Sequence, residues 1–246
     1  MYITTAGLVL REAQYKESSK MLTVLTAENG KLSVSAKGVM RRNSKNASAA
    51  QLLAYSEMTL CEGKGGWTLT ESRPLELFVG LREDAALLTL GSYFAELMDA
   101  LSGEDISGGA LLSLGLNALY ALSRGLYTPE HIKAAFEMRL MCQEGYEPVL
   151  DACPVCGAVP ERPVFWPTAG AVTCDTCNPQ SGGARMELCP ASWKAMRYIA
   201  GSEPKKVFSY HLEKEPQRRL SAAAEEYVRV QMEREFGTLR LYRQLG

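Results

Sequence analysis

Two Cys-x-x-Cys pairs near the middle of the chain are the most specific feature of the sequence. The first is Cys153-Pro-Val-Cys156, the second is Cys174-Asp-Thr-Cys177, and seventeen residues separate them. Each pair turns two thiolates toward one point, and two such pairs close a tetrahedron of sulfur ligands around Zn²⁺. Because four thiolates leave no open coordination position for water or substrate, the predicted zinc ion is structural rather than catalytic.

Three further cysteines are scattered through the chain. This arrangement differs from the even, dense pattern of disulfide-stapled secreted domains, so reducing cytosolic conditions are expected. We expect Cys61, in a strand pattern, and Cys142, in a helical pattern, to be small buried hydrophobic residues. Cys189 follows Cys177 by twelve residues and is a competing candidate for a ligand position, ranked below the two pairs.

The chain is long enough to bury a sizeable core. Its 246 residues, 46% of them hydrophobic, suit one large domain or two to three small ones. The first twenty residues contain Arg11, Glu12, Lys16 and Glu17, which is unlike a signal peptide, so the protein is expected in the cytoplasm. Residues 106 to 123 carry no charge, but their glycines and serines favour a buried helix over a membrane span.

The first eighty residues show the alternation typical of short β-strands. Strands are predicted around residues 8–10, 21–26, 32–36, 57–60 and 67–70. Asn29-Gly30 tolerates the positive φ angles of a tight hairpin turn, and Gly63-Lys64-Gly65-Gly66 predicts a second turn. Five antiparallel strands with a long irregular segment between the third and the fourth predict a small OB-type β-barrel.

The irregular segment between the third and fourth strands, residues 37 to 51, is basic. It carries Lys37, Arg41, Arg42 and Lys45 without an acid, and we expect it to be too polar to bury. The first fifty residues hold eight basic and three acidic side chains, so an anionic partner would bind at this end of the chain. Composition alone leaves a solvated surface loop and an anion-binding loop about equally open.

Three aromatic rings, Tyr15, Tyr55 and Trp67, lie in the predicted barrel. Single strands bind OB barrels through neutralisation of their backbone and stacking of bases on aromatic rings. For each ring, a place in the core or at the rim of the barrel is favoured over a role as a stacking platform.

A helical period begins at Arg82 and is interrupted by the cysteine pairs. Helices are predicted from Arg82 to Leu101, Ala110 to Ser123, Pro129 to Gly145, Pro190 to Ala200 and Gln217 to Phe236. The predicted domains are an OB-fold domain at 1–80, the first part of a helical domain at 81–149, a four-cysteine zinc module at 150–189 and the second helical part at 190–246. The fold class is therefore predicted as multidomain α+β.

The sequence contains no recognisable catalytic motif. Neither of its two histidines, His131 and His211, pairs with a nucleophile motif, so both are expected to be structural. The phosphate loop, the Gly-x-Ser-x-Gly elbow, His-Glu-x-x-His and the His-x-Glu of zinc deaminases are missing. We therefore expect a protein that is not an enzyme and that binds nucleic acid.

Short motifs follow one another in a specific order over nearly the whole chain. They are Gly7-Leu8-Val9-Leu10, Tyr15-Lys16-Glu17-Ser18, Asn29-Gly30-Lys31, Ala36-Lys37-Gly38 followed by Arg41-Arg42, Gly80-Leu81-Arg82-Glu83-Asp84, Phe136-Glu137-Met138-Arg139-Leu140, Gly145-Tyr146 and the cysteine pairs. In this order and with these spacings they resemble the RecO recombination mediators of bacteria.

The resemblance implies a DNA repair and recombination mediator of the nucleoid that binds single- and double-stranded DNA and anneals complementary strands. It implies action with RecR to load RecA onto DNA covered by single-stranded DNA-binding protein, whose acidic C-terminal tail the family's helical domain receives. It implies DNA contacts at Lys37, Arg41 and Arg42, with Lys45 beside them, and a structural Zn²⁺. Arg139 is expected to pair with a buried acid. The alternative is a zinc-ribbon interaction or transcription-associated adaptor whose basic loop is only solvated.

Overall fold

The computed structural model describes residues 1–63, 65–104, 106–179 and 182–245. The chain forms two compact units. The first comprises Met1–Arg124 and Phe236–Gly246, and the second comprises Gly125–Glu235. The division into four domains that the sequence suggests stays a prediction.

The five predicted strands are present and form a closed barrel in the first unit. They are β1 (Tyr2–Tyr15), β2 (Ser19–Thr26), β3 (Lys31–Ala36), β4 (Tyr55–Gly63) and β5 (Gly66–Glu76). The order around the barrel is β1-β2-β3-β5-β4, and β4 pairs back onto β1. The β3–β5 pair is parallel and the other pairs are antiparallel. This topology confirms the predicted OB-type barrel, while residue 64 of the predicted β4–β5 turn lies outside the described residues.

The barrel core follows from the alternation of side chains along each strand. On β3, Leu32, Val34 and Ala36 are buried in the core, as the period of two predicts. Complete burial of a Val or Leu side chain stabilises the fold by about 1.5–3 kcal/mol. The turn before β3 contains Gly30 at φ 61°, a left-handed conformation that a β-carbon disfavours. The turn predicted from Asn29-Gly30 is therefore confirmed.

Seven helices are present in the described residues. They are α1 (Val79–Arg82), α2 (Ala85–Leu101), α3 (Gly109–Ser123), α4 (Pro129–Gln143), α5 (Pro190–Gly201), α6 (Lys214–Gln231) and α7 (Gly237–Leu245). The long helix predicted from Arg82 begins instead at Ala85, because the Asp84 carboxylate accepts hydrogen bonds from the N–H groups of Ala86 and Leu87. This is an N-cap arrangement, which sets the first residue of a new helix.

The last predicted helix, Gln217 to Phe236, corresponds to α6, which begins at Lys214 and ends at Gln231, and the sequence did not predict the separate helix α7 that follows. Helix α7 belongs to the first unit, where it packs on α2. The Phe236 ring meets the Tyr93 ring edge-on with 5.7 Å between centroids, and the Thr238 hydroxyl donates to Glu96 Oε2 at 2.5 Å. An aromatic contact and a charge-assisted hydrogen bond thus attach α7 to α2.

The second unit contains α4, α5 and α6 and a small sheet that the sequence did not predict. Its strands are β6 (Pro163–Trp166), β7 (Ala171–Cys174) and β8 (Met186–Glu187), in the order β7-β6-β8. The Phe165 ring of β6 contacts the Tyr227 ring of α6 edge-on with 5.2 Å between centroids. The sheet therefore joins the cysteine-bearing segment to the helices of this unit.

None of the helices in the described ranges is long and apolar enough to cross a membrane. The uncharged stretch from 106 to 123 supplies α3 instead, in which Leu111, Leu114 and Leu119 are buried. The predicted helix is thus present, beginning three residues into the stretch.

Two of the isolated cysteines are less buried than expected. Cys61 is only partly buried, because the alternation along β4 that places Leu60 in the core turns Cys61 outward. Cys142 is also partly buried, near the end of α4. Burial raises the pKa of its thiol to about 11, so the thiol is neutral at physiological pH.

Candidate nucleic-acid interface and metal centre

The segment that joins β3 to β4, residues 37–54, is called the basic loop below. Its four cations, Lys37, Arg41, Arg42 and Lys45, are all exposed. Among the residues described, none of the four takes part in a salt bridge. Within the described ranges no carboxylate neutralises these charges, which are available to an external polyanion.

The basic loop is nevertheless partly buried, and the expectation that it is too polar to bury is wrong for its apolar residues. Val39, Ala49, Ala50 and Leu53 are all at most 4% exposed. Val39 and Ala50 belong to the core cluster of the barrel itself. The loop therefore has two faces, one of small apolar residues packed onto the barrel and one of cations directed to solvent.

Hydrogen bonds to the β1–β2 hairpin fix the beginning of the basic loop. The Gly38 N–H donates to Ser19 Oγ at 3.1 Å, and the Met40 N–H donates to the Ser18 carbonyl oxygen at 3.0 Å. These bonds lie on either side of the buried Val39 side chain.

The middle and the end of the basic loop are attached to other strands. The Asn46 side-chain amide donates to the Thr70 carbonyl oxygen at 3.1 Å, and the Ser72 hydroxyl donates to Asn46 Oδ1 at 2.9 Å. The Leu53 N–H donates to the Val9 carbonyl oxygen at 2.9 Å. A loop held in this way loses little conformational entropy when it binds a ligand.

Two charged residues outside the basic loop also hold it, and sequence reasoning missed both. Glu12 Oε2 accepts the Leu52 N–H at 3.1 Å and the Lys20 ammonium at 2.8 Å. Arg82 Nη2 donates to the Leu52 carbonyl oxygen at 2.8 Å. In the sequence Glu12 only argues against a signal peptide, and Arg82 only marks a helix start and belongs to the Gly80–Asp84 motif, because nothing in their spacing connects them to residue 52.

The three candidate rings have different environments. Tyr15 is exposed, and the Lys16 ammonium lies 5.2 Å from the centre of its ring. Trp67 packs against the barrel core and is only partly buried, and Tyr55 is also partly buried. Tyr15 is therefore the ring among the three whose face a base can reach most easily.

The four paired cysteines converge on one point of the second unit. The Sγ atoms of Cys153, Cys156, Cys174 and Cys177 all lie within 4.8 Å of one another. The Cys156 and Cys174 Sγ atoms are 3.7 Å apart. A tetrahedron with metal–sulfur bonds of about 2.3 Å has an edge of about 3.8 Å, so the arrangement fits one tetrahedral ion.

The environment of Cys153 favours the form that binds metal. Burial alone would raise the pKa of this thiol, but hydrogen bonds from the backbone of Cys174, Cys156 and Val155 and from the Cys156 side chain outweigh burial and lower the pKa to about 6. Burial raises the pKa of the neighbouring Cys174 thiol to about 12, and a hydrogen bond with Cys156 raises the pKa of Cys177, so the thiolate, the ligand form of cysteine, is favoured first at Cys153.

Cys189 lies outside this cluster, so its candidacy as a ligand is not supported. It is the N-cap of α5, and its sulfur accepts the Ser192 N–H at 3.5 Å. A sulfur in this position occupies the place that a Ser or Asp oxygen takes at other helix starts.

His131 has the structural role that the sequence suggested. It is 8% exposed, and its ring stacks on Tyr127 and Tyr210, with centroids 4.8 and 3.9 Å away. Its Nε2 lies 3.0 Å from the Phe208 carbonyl oxygen. Burial lowers the pKa of this imidazole, so the ring is neutral at physiological pH.

The expectation that Arg139 pairs with a buried acid requires correction. Arg139 Nη1 donates instead to the Ala200 carbonyl oxygen. The buried acid of this motif, Glu137, instead forms an ion pair with Lys133, which lies one helical turn earlier. The distance from Lys133 Nζ to Glu137 Oε1 is 2.8 Å. Lys133 also contacts Glu225 Oε2 at 2.7 Å.

A closed OB-type barrel with a basic loop, in one chain with helices and a four-cysteine cluster, defines a class of multidomain α+β proteins. Comparison with family models gives the particular family. Residues 1–78 match the model described as Recombination protein O N terminal, and residues 82–240 match Recombination protein O C terminal. The chain therefore belongs to the RecO family of DNA repair proteins, as its motifs predicted.

Curated relatives agree with this assignment over most of their length. DNA repair protein RecO of Acetivibrio thermocellus is 29% identical over 239 residues, which is 97% of this chain and 95% of the relative. The protein of the same name from Heliobacterium modesticaldum is 31% identical over 233 residues, 92% of this chain and 84% of the relative. That of Alkaliphilus metalliredigens is 32% identical over 179 residues, 72% and 73% of the two chains.

Proposed function

We propose that this chain is a recombination mediator that binds single- and double-stranded DNA and anneals complementary strands. Its DNA contacts are Lys37, Arg41, Arg42 and Lys45. The observation that carries the proposal is that these four exposed cations lie on a loop whose opposite face is packed into an OB barrel. Two complementary strands repel each other along their phosphates, and cations that neutralise both strands without covering base edges lower that barrier. This mechanism requires no nucleotide hydrolysis.

Membership of the RecO family supports the partners that belong to this function. With RecR, the chain would load RecA onto single-stranded DNA covered by single-stranded DNA-binding protein, whose acidic tail the helical part would receive. A protein with these partners works at the nucleoid, in the cytoplasm.

We also propose that Cys153, Cys156, Cys174 and Cys177 hold one structural Zn²⁺. The convergence of four sulfurs within 4.8 Å supports this ligand set. Zinc would contribute folding energy to the second unit and take no part in annealing, because four sulfur ligands saturate it.

The proposal is tested by strand annealing with the purified chain in the absence of ATP. Two complementary oligonucleotides, labelled as donor and acceptor for energy transfer, are mixed with the wild type and with the triple variant Lys37→Ala, Arg41→Ala, Arg42→Ala. We expect the wild type to accelerate annealing and the triple variant to lose most of the acceleration, because three of its four phosphate contacts are gone.

A charge-matched control is the triple variant Lys194→Ala, Lys205→Ala, Lys214→Ala, which removes three exposed cations of the second unit. It should anneal as the wild type does. Absence of annealing by the wild type, or equal annealing by both triple variants, would favour the adaptor interpretation, in which the basic loop is only solvated.

A further inference from the structure

An open groove of about 540 Å³ lies between the basic loop and the beginning of α2, within the first unit. Met40, Arg41 and Leu52 of the loop line it. Arg82 of α1 and Leu88 of α2 line it as well. The groove therefore extends the surface of the basic loop beyond the barrel and onto the helices.

The groove is positively charged. Lys20, Arg41 and Arg82 line it together with one acid, Glu12. Three positive charges and one negative charge give these side chains a net charge of +2. The Glu12 carboxylate is already occupied by the Lys20 ammonium and the Leu52 N–H. The guanidinium groups of Arg41 and Arg82 belong to exposed side chains, so an anion can reach them.

The groove also offers apolar surface. Met40 is 46% exposed, although it lies between two cations and a buried valine in the loop. Leu52 and Leu88 are only partly buried. A thioether makes favourable contacts with aromatic rings, and a guanidinium can stack on a base as well as bind phosphate. A groove with both kinds of surface suits a nucleotide whose base is not stacked in a duplex.

We propose that this groove binds one unstacked nucleotide of a single strand that continues across the basic loop. Met40 contacts the base, and Arg41 and Arg82 contact the adjoining phosphates. The inference rests on the proposed DNA-binding function and adds a reason for preferring single strands at this position. A single strand is favoured over an acidic peptide as occupant because the groove is continuous, through Arg41, with the exposed cations Lys37 and Arg42.

The test compares binding of a fluorescein-labelled single strand and of a duplex with the same sequence by fluorescence anisotropy at several salt concentrations. The variants are Met40→Ala, which removes the base contact, and Arg82→Gln, which removes the charge but keeps a side-chain donor for the Leu52 carbonyl oxygen. Arg73→Ala is the control, because Arg73 is an exposed barrel cation that does not line the groove. Thermal midpoints establish that all variants are folded.

We expect Met40→Ala to weaken binding of the single strand by about 2- to 13-fold, the range of a thioether–aromatic contact, and to leave duplex binding unchanged. Arg82→Gln should also weaken single-strand binding and reduce the magnitude of its salt slope by about 0.7. Arg73→Ala should bind as the wild type does.

The inference is overturned if Met40→Ala and Arg82→Gln bind the single strand as tightly as the wild type, or if both DNA forms are weakened equally. It is also overturned if the variants bind the oligonucleotide as the wild type does but no longer bind a fluorescent acidic peptide that ends in phenylalanine. Failure of the proposed function is a different result, because the wild type itself would then bind neither form of DNA.

Discussion

Lys133 is a buried cation that lies between two carboxylates of the second unit. Its side chain is 4% exposed and that of Glu137 is fully buried, with Glu225 as the second acid of the cluster. Burial disfavours the charged ammonium, but the two carboxylates outweigh burial and raise the pKa of Lys133. The cluster joins α4 to α6, so it contributes to the stability of the second unit as long as all three groups are present.

Replacement of Lys133 by Ala should strongly destabilise the second unit. The variant leaves the Glu137 carboxylate buried without this cation, which typically costs about 3–5 kcal/mol. Urea unfolding of the wild type and the variant measures the loss. As a control, Lys206→Ala breaks the exposed pair with Glu203 and should change the midpoint little. An equally small effect of Lys133→Ala would show that the cluster does not support the fold.

His131 should make the stability of the chain sensitive to mild acid. Because its pKa is lowered in the folded state, the unfolded chain binds the proton more readily, and stability is lost as pH falls through about 6.5. We expect the thermal midpoint to fall between about pH 7.5 and about pH 5.5. His131→Gln, which does not titrate, should show a smaller fall over the same interval. Equal falls in both proteins would contradict the assignment.

The two kinds of charged residue differ in how far sequence could identify them. The exposed cations Arg41 and Arg42 are visible as a basic run without acids. Lys133 and Glu137 have the spacing of an ordinary solvated helical pair, and only the packing of α6 over them shows that they are buried. Burial of a charge depends on contacts distant in the chain, which local spacing does not record.

At the scale of elements, the basic loop is the part of the chain where local pattern was least informative. Its composition predicted a segment too polar to bury and did not decide between a solvated and an anion-binding loop, while Val39 and Ala50 are in the barrel core. The barrel strands were predictable because alternation repeats over many residues. The strands β6 to β8 span only two to four residues each and show no period that exceeds chance.

Glu12 should be necessary for order in the basic loop. Glu12→Ala removes the acceptor of the Leu52 N–H and the partner of Lys20. We expect faster amide hydrogen exchange in residues 37–54, because the end of the loop loses an attachment. Glu57→Ala removes another acid from the barrel, one paired with Arg73 across β4 and β5, and should leave exchange in the loop unchanged. Unchanged exchange in Glu12→Ala would mean that the remaining hydrogen bonds are sufficient.

At the scale of the whole molecule, the two units are expected to have different functions. The barrel and the basic loop belong to the first unit, and the four-cysteine cluster belongs to the second. The sequence predicted the four ligands because Cys-x-x-Cys spacing is a local feature. It did not show that α7 returns to the first unit, because that depends on contacts between Phe236 and Tyr93 that are far apart in sequence.

Removal of metal should therefore affect stability more than DNA binding. We expect one zinc ion per chain by elemental analysis and a lower thermal midpoint after treatment with a chelator. Affinity for an oligonucleotide at a temperature below that midpoint should change little, because the basic loop is in the other unit. A structural zinc site would be contradicted if the chain contained no metal when purified from zinc-supplied cells. A thermal midpoint that is the same with and without the chelator would also contradict it.

The salt dependence of duplex binding tests the role of the basic loop most directly. Each phosphate contact contributes a slope of about −0.9 to the logarithm of the binding constant against the logarithm of salt concentration. The wild type is expected to show a slope between about −3 and −4, and the triple variant Lys37→Ala, Arg41→Ala, Arg42→Ala a slope smaller in magnitude by about 3. A flat response of the wild type, or the same slope in both proteins, would contradict the account.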